Sequence, residues 1–398
     1  MIYMDNAATT AVRNEVVEAM MPYFSDKFGN PSSLYELAVE NKNVINESRR
    51  TIADTIGAKE EEIFFTSGGT EADNWALRTV AENYSDKGKH IITSKIEHHA
   101  ILHTCEYLEK KGFEITYVNV DEYGIIKMNE LYNAIRKDTI LISVMFANNE
   151  IGTIQPIGEI GRIAKGAGVL FHTDAVQAYC HVPINVRELG IDLLSASGHK
   201  IRGPKGVGFL YARDGVKLSP MIFGGAQEKK MRAGTENVPG IVGISKAAQM
   251  ESCELIQRTY KERKARDYLI ERMIREIPFT RLNGHRFNRL PGNASFSFQF
   301  VDGESLLVML DMEGICASGG SACTSGQSEP SHVLKASGLP DDVAYGTLRL
   351  TISEDTTRGE IDKVVNAVKR IVFELRSKSE EYNNLVRKNR RYWINNRR

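Results

Sequence analysis

Gly168-Val169-Leu170-Phe171-His172-Thr173-Asp174-Ala175-Val176-Gln177 begins as an apolar run of strand length and ends on an acid. A carboxylate at the end of a buried strand is costly unless a cation or hydrogen bonds meet it. Asp174 is therefore either a helix N-cap or a carboxylate meeting a protonated ring nitrogen. A second such run, 192–196, leads into Ser195-Ala196-Ser197-Gly198-His199-Lys200. A lysine in a polar loop is ordinarily a solvated surface group, but in a pocket it can lose its proton and form a Schiff base with a carbonyl.

Working outward, the same rhythm repeats. Residues 63–66 read as a strand, followed by Ser67-Gly68-Gly69-Thr70 and a helical run over 71–81. Glycines after a strand let backbone N–H groups approach a phosphate, and the helix N-terminus behind them favours negative charge; Gly-Gly turns are also common in loops. Strands are expected at 90–94, 115–119 and 140–147, helices near 101–111 and over 157–166, and a further, antiparallel strand at 206–211. Strands alternating with helices indicate an α/β domain with a mainly parallel sheet, whose ligands gather at the carboxyl ends of its strands. Beyond about residue 250 the rhythm changes: a long polar helix over 259–277, strands at 294–300 and 347–352, helices over 304–313 and from near 330 and 357. This predicts a second, α+β domain. Between its elements lies Gly319-Gly320-Ser321-Ala322-Cys323-Thr324-Ser325-Gly326, a cysteine among small residues, unlike a typical packed structural thiol.

Composition narrows the classes. A chain of 398 residues that is 42% hydrophobic and 26% charged, with 33 Gly and 11 Pro, is neither collagen-like nor largely disordered. Lys+Arg and Asp+Glu are both 51, so the whole-chain electrostatic footprint expected of a nucleic-acid binder is absent. No stretch approaches the ~18 consecutive apolar residues of a membrane span. Met1-Ile2-Tyr3-Met4-Asp5-Asn6 carries no secretory leader pattern, so a cytoplasmic protein is expected. Five cysteines, an odd count, fit reduced thiols rather than a disulfide framework. His103, His181, His285 and His332 have no metal-ligand spacing, and no metal site is expected.

The order Gly-Gly-Thr70, His98, Asp174-x-x-Gln177, Ser197-x-His199-Lys200 is more specific than any of its pieces, and resembles the class V aminotransferases, which bind pyridoxal 5′-phosphate. The resemblance runs from Met4-Asp5-Asn6-Ala7-Ala8-Thr9-Thr10 through Arg349. It narrows at Gly29-Asn30-Pro31-Ser32-Ser33, Glu97-His98-His99-Ala100, Asn148-Asn149-Glu150-Ile151-Gly152, Arg232-Ala233-Gly234-Thr235-Glu236-Asn237 and Ser321-Ala322-Cys323-Thr324-Ser325-Gly326. Together these look like the cysteine desulfurases of the NifS/IscS type; the Arg-x-Gly-His-His-Cys of the SufS-like group is missing.

The resemblance implies the fold type I architecture of the pyridoxal-phosphate transferases. That means a large α/β domain, 15–258, with a mainly parallel seven-stranded sheet. A smaller α+β domain, 1–14 and 259–398, would carry the Cys323 loop. It implies that Lys200 holds the cofactor and shuttles a proton, Asp174 pairs with the pyridinium nitrogen, Gln177 bonds the ring hydroxyl oxygen, and His98 stacks on the ring. Thr70, Ser197 and His199 would hold the phosphate, joined by Thr235 from the other subunit of a homodimer. Arg349 would bind the substrate carboxylate, with Asn149 and Asn30 helping, and the Cys323 thiolate would take sulfur from L-cysteine, leaving alanine. The sulfur would then pass to an acceptor or scaffold protein of iron–sulfur cluster assembly, or into another sulfur-transfer route.

Three positions depart from the family pattern without removing a catalytic group: Ala226 in Gly224-Gly225-Ala226-Gln227-Glu228, Arg202 after the lysine, and Cys180, read as a small buried hydrophobe on a helix. The competing readings are a selenocysteine lyase or other class V enzyme, and a non-catalytic scaffold. The basic stretch 387–398 is either a solvated helix end or a docking surface for an acidic acceptor protein.

Overall fold

The computed structural model describes residues 1–319 and 330–395. Residues 320–329, on which the expected Cys323 site falls, lie outside the described residues, as do 396–398.

A seven-stranded sheet forms the centre, in the spatial order Ile63–Thr66, Gly208–Ala212, Leu193–Ser197, Leu170–Asp174, Thr139–Ser143, His90–Ser94, Glu114–Val118. Only Gly208–Ala212 runs against its neighbours; the remaining pairs are parallel. Such a sheet is covered on both faces, and Thr139–Ser143 and Leu193–Ser197 are buried at every residue. The covering helices show the complementary pattern. In Ile157–Ala167 the buried residues Ile157, Ile160, Gly161 and Ala164 make one stripe, and the helix stops at Gly168 in the left-handed conformation, φ 68°.

The polar residues at the strand ends are what the apolar runs position. Because these strands run parallel, each releases its chain on the same edge. Asp174 ends one strand, Ser197 ends the next with Lys200 three residues on, and Thr66 precedes the turn into helix Gly69–Tyr84. That turn is tight: a Cβ on Gly69 would lie 2.4 Å from Val176 Cγ2, so the helix start sits directly against the segment after Asp174.

A second core lies around a three-stranded antiparallel sheet with Asn293–Phe298 at its centre, flanked by Thr280–Asn283 and Thr347–Thr351. Helices Leu255–Glu276, Gly303–Met312 and Arg358–Lys378 pack on it through Leu269, Leu306 and Val368. Met4 belongs to this core, and Ile2–Tyr3 pairs in parallel with Ile315–Cys316. The chain then leaves the small sheet at the Asp5–Thr351 bridge and crosses to the lysine turn, where Thr10 N–H donates to the His199 carbonyl at 3.0 Å. The N-terminal segment thus straps the two cores together across the active edge.

Two expectations are corrected. The 140–147 strand is shorter, Thr139–Ser143, because the apolar residues after it turn out of the sheet: Ala147 bridges Ile154, and Met145 lines the cavity at the sheet's carboxyl edge. Cys180 is buried as expected, but in a turn with φ 59° rather than on a helix, a conformation uncommon for a residue with a Cβ.

Candidate active site

At the carboxyl edge of the sheet is a cavity of about 430 Å³ into which Thr70, His98, Asn149, Asp174, Gln177, Ser197, His199, Lys200 and Arg349 all converge. These residues span the chain from one core to the other. A neighbouring recess of about 450 Å³ shares Gly69, Thr70, Ser197 and His199 with it. The recess faces the start of helix Gly69–Tyr84, whose N-cap, Gly68, offers no side-chain acceptor. The first N–H groups of the helix are thereby left for an outside acceptor, and the positive end of the helix dipole favours an anion there.

Lys200 Nζ donates to the carbonyl oxygens of Ala7 at 2.6 Å and Ala8 at 2.8 Å. Gln177 Nε2 donates to the same Ala7 oxygen at 2.9 Å. The N-terminal strap therefore fixes both side chains, and it does so with backbone atoms. Asp174 is 5% exposed; its Oδ1 accepts from Val176 N–H at 2.8 Å. Burial pushes its carboxyl up to about 6, opposed by that N–H and by the charge of Lys200.

His98 caps helix His99–Glu109: its Nδ1 accepts from Ala100 N–H at 3.1 Å. The proton of a neutral ring must then sit on Nε2. Burial, followed by the charges of Lys200 and His103, lowers its pKa, so the neutral form is favoured. His199 is likewise pushed down to about 4 by burial and by Lys200 and Lys205, and its Nδ1 meets Thr9 Oγ1 at 3.2 Å.

Arg349 comes from the small sheet and is 2% exposed. Its Nη2 donates to Asp5 Oδ1 at 2.9 Å and its Nη1 to the Asn149 carbonyl at 3.1 Å. Ser318 steadies the other oxygen of Asp5 at 2.7 Å. The guanidinium is held in place by neighbours on separate segments, which is what a rigid carboxylate fork requires.

Asn30 and Thr235 are exposed and stand outside the residues lining the cavity of this single chain. Asn30 Oδ1 instead accepts from Ser32 N–H at 3.0 Å. Three buried acids in the cavity wall have no counterpart among the candidate residues of the sequence. Glu97 accepts from Ser94 Oγ at 2.6 Å and Met145 N–H at 3.0 Å, and burial pushes it up to about 8. Glu150 is paired with the Ser331 hydroxyl and pushed up to about 7 by burial. Asp73 is the third. The available signal is weak: each acid sits within or beside a motif, but nothing in its spacing says that it is buried.

The chain matches the family model Aminotransferase class-V over residues 2–364. It is 57% identical over 378 residues to a protein named Cysteine desulfurase IscS from Methanosarcina thermophila, covering 95% of this chain and 93% of that one. Among solved structures, a NifS-like protein superposes with a TM-score of 0.88 at 38% identity, covering 93% of this chain and 99% of the other. SspA in complex with cysteine superposes with a TM-score of 0.79 at 37% identity, covering 90% and 100%. With the strand-end arrangement and these relatives together, the chain belongs to the class V aminotransferase family, among its NifS/IscS-type cysteine desulfurases.

Proposed function

We propose that this protein is a pyridoxal-phosphate-dependent cysteine desulfurase that converts L-cysteine to L-alanine and lodges the sulfur on Cys323. The observation that carries the reading is the convergence of Lys200, Asp174, His98 and Arg349 in one cavity.

The donor set fits the cofactor. Asp174 is a buried carboxyl at the end of a strand with one backbone donor, and it needs a cation to ionise fully; a pyridinium N–H is such a partner. The recess at Gly68, with Thr70, Ser197 and His199, suits a phosphate. Bound there, pyridoxal 5′-phosphate supplies an electron sink for the pair released at the substrate Cα. Lys200 would anchor it and carry the proton to and from Cα. Gln177 would orient the ring oxygen, and neutral His98 would cover the ring face. Arg349, with Asn149 beside it, would fix the substrate carboxylate.

Cys323 would act as the nucleophile. Its thiolate attacks the substrate sulfur, an S–S bond forms as the C–S bond breaks, and the bonding pair passes to carbon, which ends as the alanine methyl group. Thr235 is proposed to act across a homodimer, supported by its exposure here, and Asn30 to help Arg349 with the substrate carboxylate. The division into 15–258 and 1–14 with 259–398 is proposed from the two cores. Delivery of the sulfur to an acceptor for iron–sulfur cluster assembly, in the cytoplasm, belongs to the same reading. Cys105, Cys180, Cys253 and Cys316 are free thiols, which suits a reducing compartment.

The direct test is stoichiometry: L-cysteine without an added 2-oxo acid should yield one alanine per enzyme-bound sulfur. A product that forms only with a 2-oxo acid acceptor would instead indicate transamination.

The Asp174 environment gives a pH prediction. Its folded pKa of about 6 exceeds the ordinary 3.8. In the cofactor-free protein the burial of this group is therefore tolerated at low pH and destabilises as pH rises through about 6. A cationic ring nitrogen removes that penalty. The melting-temperature gap between loaded and cofactor-free protein should widen as pH rises through this window; a constant gap would argue against the Asp174 pairing.

A further inference from the structure

The proposed chemistry uses Asp174 but not the second buried carboxyl in the same wall. Asp73 lies in the second turn of helix Gly69–Tyr84, is 1% exposed, and lines the same cavity. Among the described residues its Oδ1 has no hydrogen-bond partner. His172 Nε2 stands 3.7 Å from it, yet that imidazole is already engaged: Nε2 meets Ser195 Oγ at 3.0 Å and Nδ1 meets Ser143 Oγ at 2.9 Å. Burial pushes His172 down to about 3, so it brings no positive charge.

The groups facing Asp73 are therefore Asp174 and His172 from one strand, the Ser195 hydroxyl from the next, and Glu97 from the segment after His90–Ser94. None is a cation. Burial first, then the charge of Asp174, raises Asp73 well above the carboxylate range; the Ser195 hydroxyl opposes this and Glu97 adds to it. Two neighbouring carboxyls in a dry wall do not both ionise against a single cation. Asp174 has the Val176 N–H and the field of Lys200; the orphaned oxygen belongs to Asp73.

We propose that Asp73 is a positioning residue that keeps its proton at neutral pH, so that the Asp73–Asp174 pair carries one negative charge and Asp174 alone presents it to the cofactor's ring nitrogen. This rests on the cofactor reading of the site. An amide has the shape of a protonated acid, so Asp73→Asn preserves the resting charge. What it removes is the ability to ionise at alkaline pH, where a second negative charge would reach the ring.

The experiment compares the infrared difference spectra of the wild-type and D73N holoenzymes at neutral pH, with the visible absorbance of the bound cofactor titrated in parallel. Glu97 and Glu150 also hold raised carboxyls, so the signal read is the wild-type-minus-D73N difference, which should contain one carboxylic-acid carbonyl stretch. D73N should retain the cofactor, and its absorbance titration should coincide with that of the wild type at neutral pH and diverge at alkaline pH, where only the wild type ionises residue 73. Asp73→Ser, which also cannot ionise, provides a second variant should the amide fold poorly, and should lose the same band. Absence of that stretch from the wild-type-minus-variant difference would overturn the proposal. Absence of cofactor absorbance from the wild type would instead overturn the underlying reading of the site.

Discussion

Lys200→Ala is expected to lower alanine formation from L-cysteine by roughly 10⁴-fold, the upper range for loss of a positioned acid–base group. The lysine-linked absorbance of the cofactor should vanish with it. The expectation rests on how the side chain is held. Lys200 leaves the turn after Leu193–Ser197, and its ammonium is fixed by the Ala7 and Ala8 carbonyls at 2.6 and 2.8 Å. Among the described residues no other lysine lines the main cavity, so none of them can take over as the amine. Added methylamine should restore part of the proton transfer without restoring the linkage. A variant that kept a tenth or more of the wild-type rate would remove Lys200 from the chemistry.

Arg349→Gln should have the second largest effect, in two measurable parts. A charge-assisted fork to the substrate carboxylate is worth about 1.5–3 kcal/mol, so kcat/KM should fall roughly 10- to 150-fold. Most of the loss should appear in KM, because the carboxylate is bound equally in ground and transition states. The same change leaves Asp5 with the Ser318 hydroxyl but without its cation. Asp5 is only part-buried, so the cost should stay below the ~3 kcal/mol of breaking a fully buried pair, and denaturant unfolding should shift at the same time. Arg349→Lys separates the two: it keeps charge beside Asp5 but loses the planar fork. Its stability should largely recover while KM remains high. Unchanged KM in both variants would show that the substrate carboxylate lies elsewhere.

The strand ends were legible because each combines an apolar run with a polar residue that has no reason to be buried. Asp174, Ser197-x-His199-Lys200 and Gly68-Gly69-Thr70 all meet at one edge for that reason. The strand expected at 206–211 was legible to within two residues, and Gly208–Ala212 runs antiparallel to both neighbours. What the sequence hid was of two kinds. The Ala7 and Ala8 carbonyls that hold Lys200 and Gln177 are backbone atoms, and any residue has them. The Asp5–Arg349 pair joins positions 344 apart in the chain, and no local period reports such a partner. The buried acids Asp73, Glu97 and Glu150 were hidden by the usual rule that carboxylates face water; their placement became visible only once the wall around them was closed.

The central claim is that sulfur from L-cysteine becomes bonded to Cys323. Peptide mass spectrometry after brief exposure of the holoenzyme to L-cysteine, beside a Cys323→Ala variant, tests it most directly. One added sulfur is predicted on the peptide containing Cys323, with no such addition on the other cysteine peptides and none in the variant. An unmodified Cys323 peptide from enzyme that has bound cofactor and released alanine would contradict it.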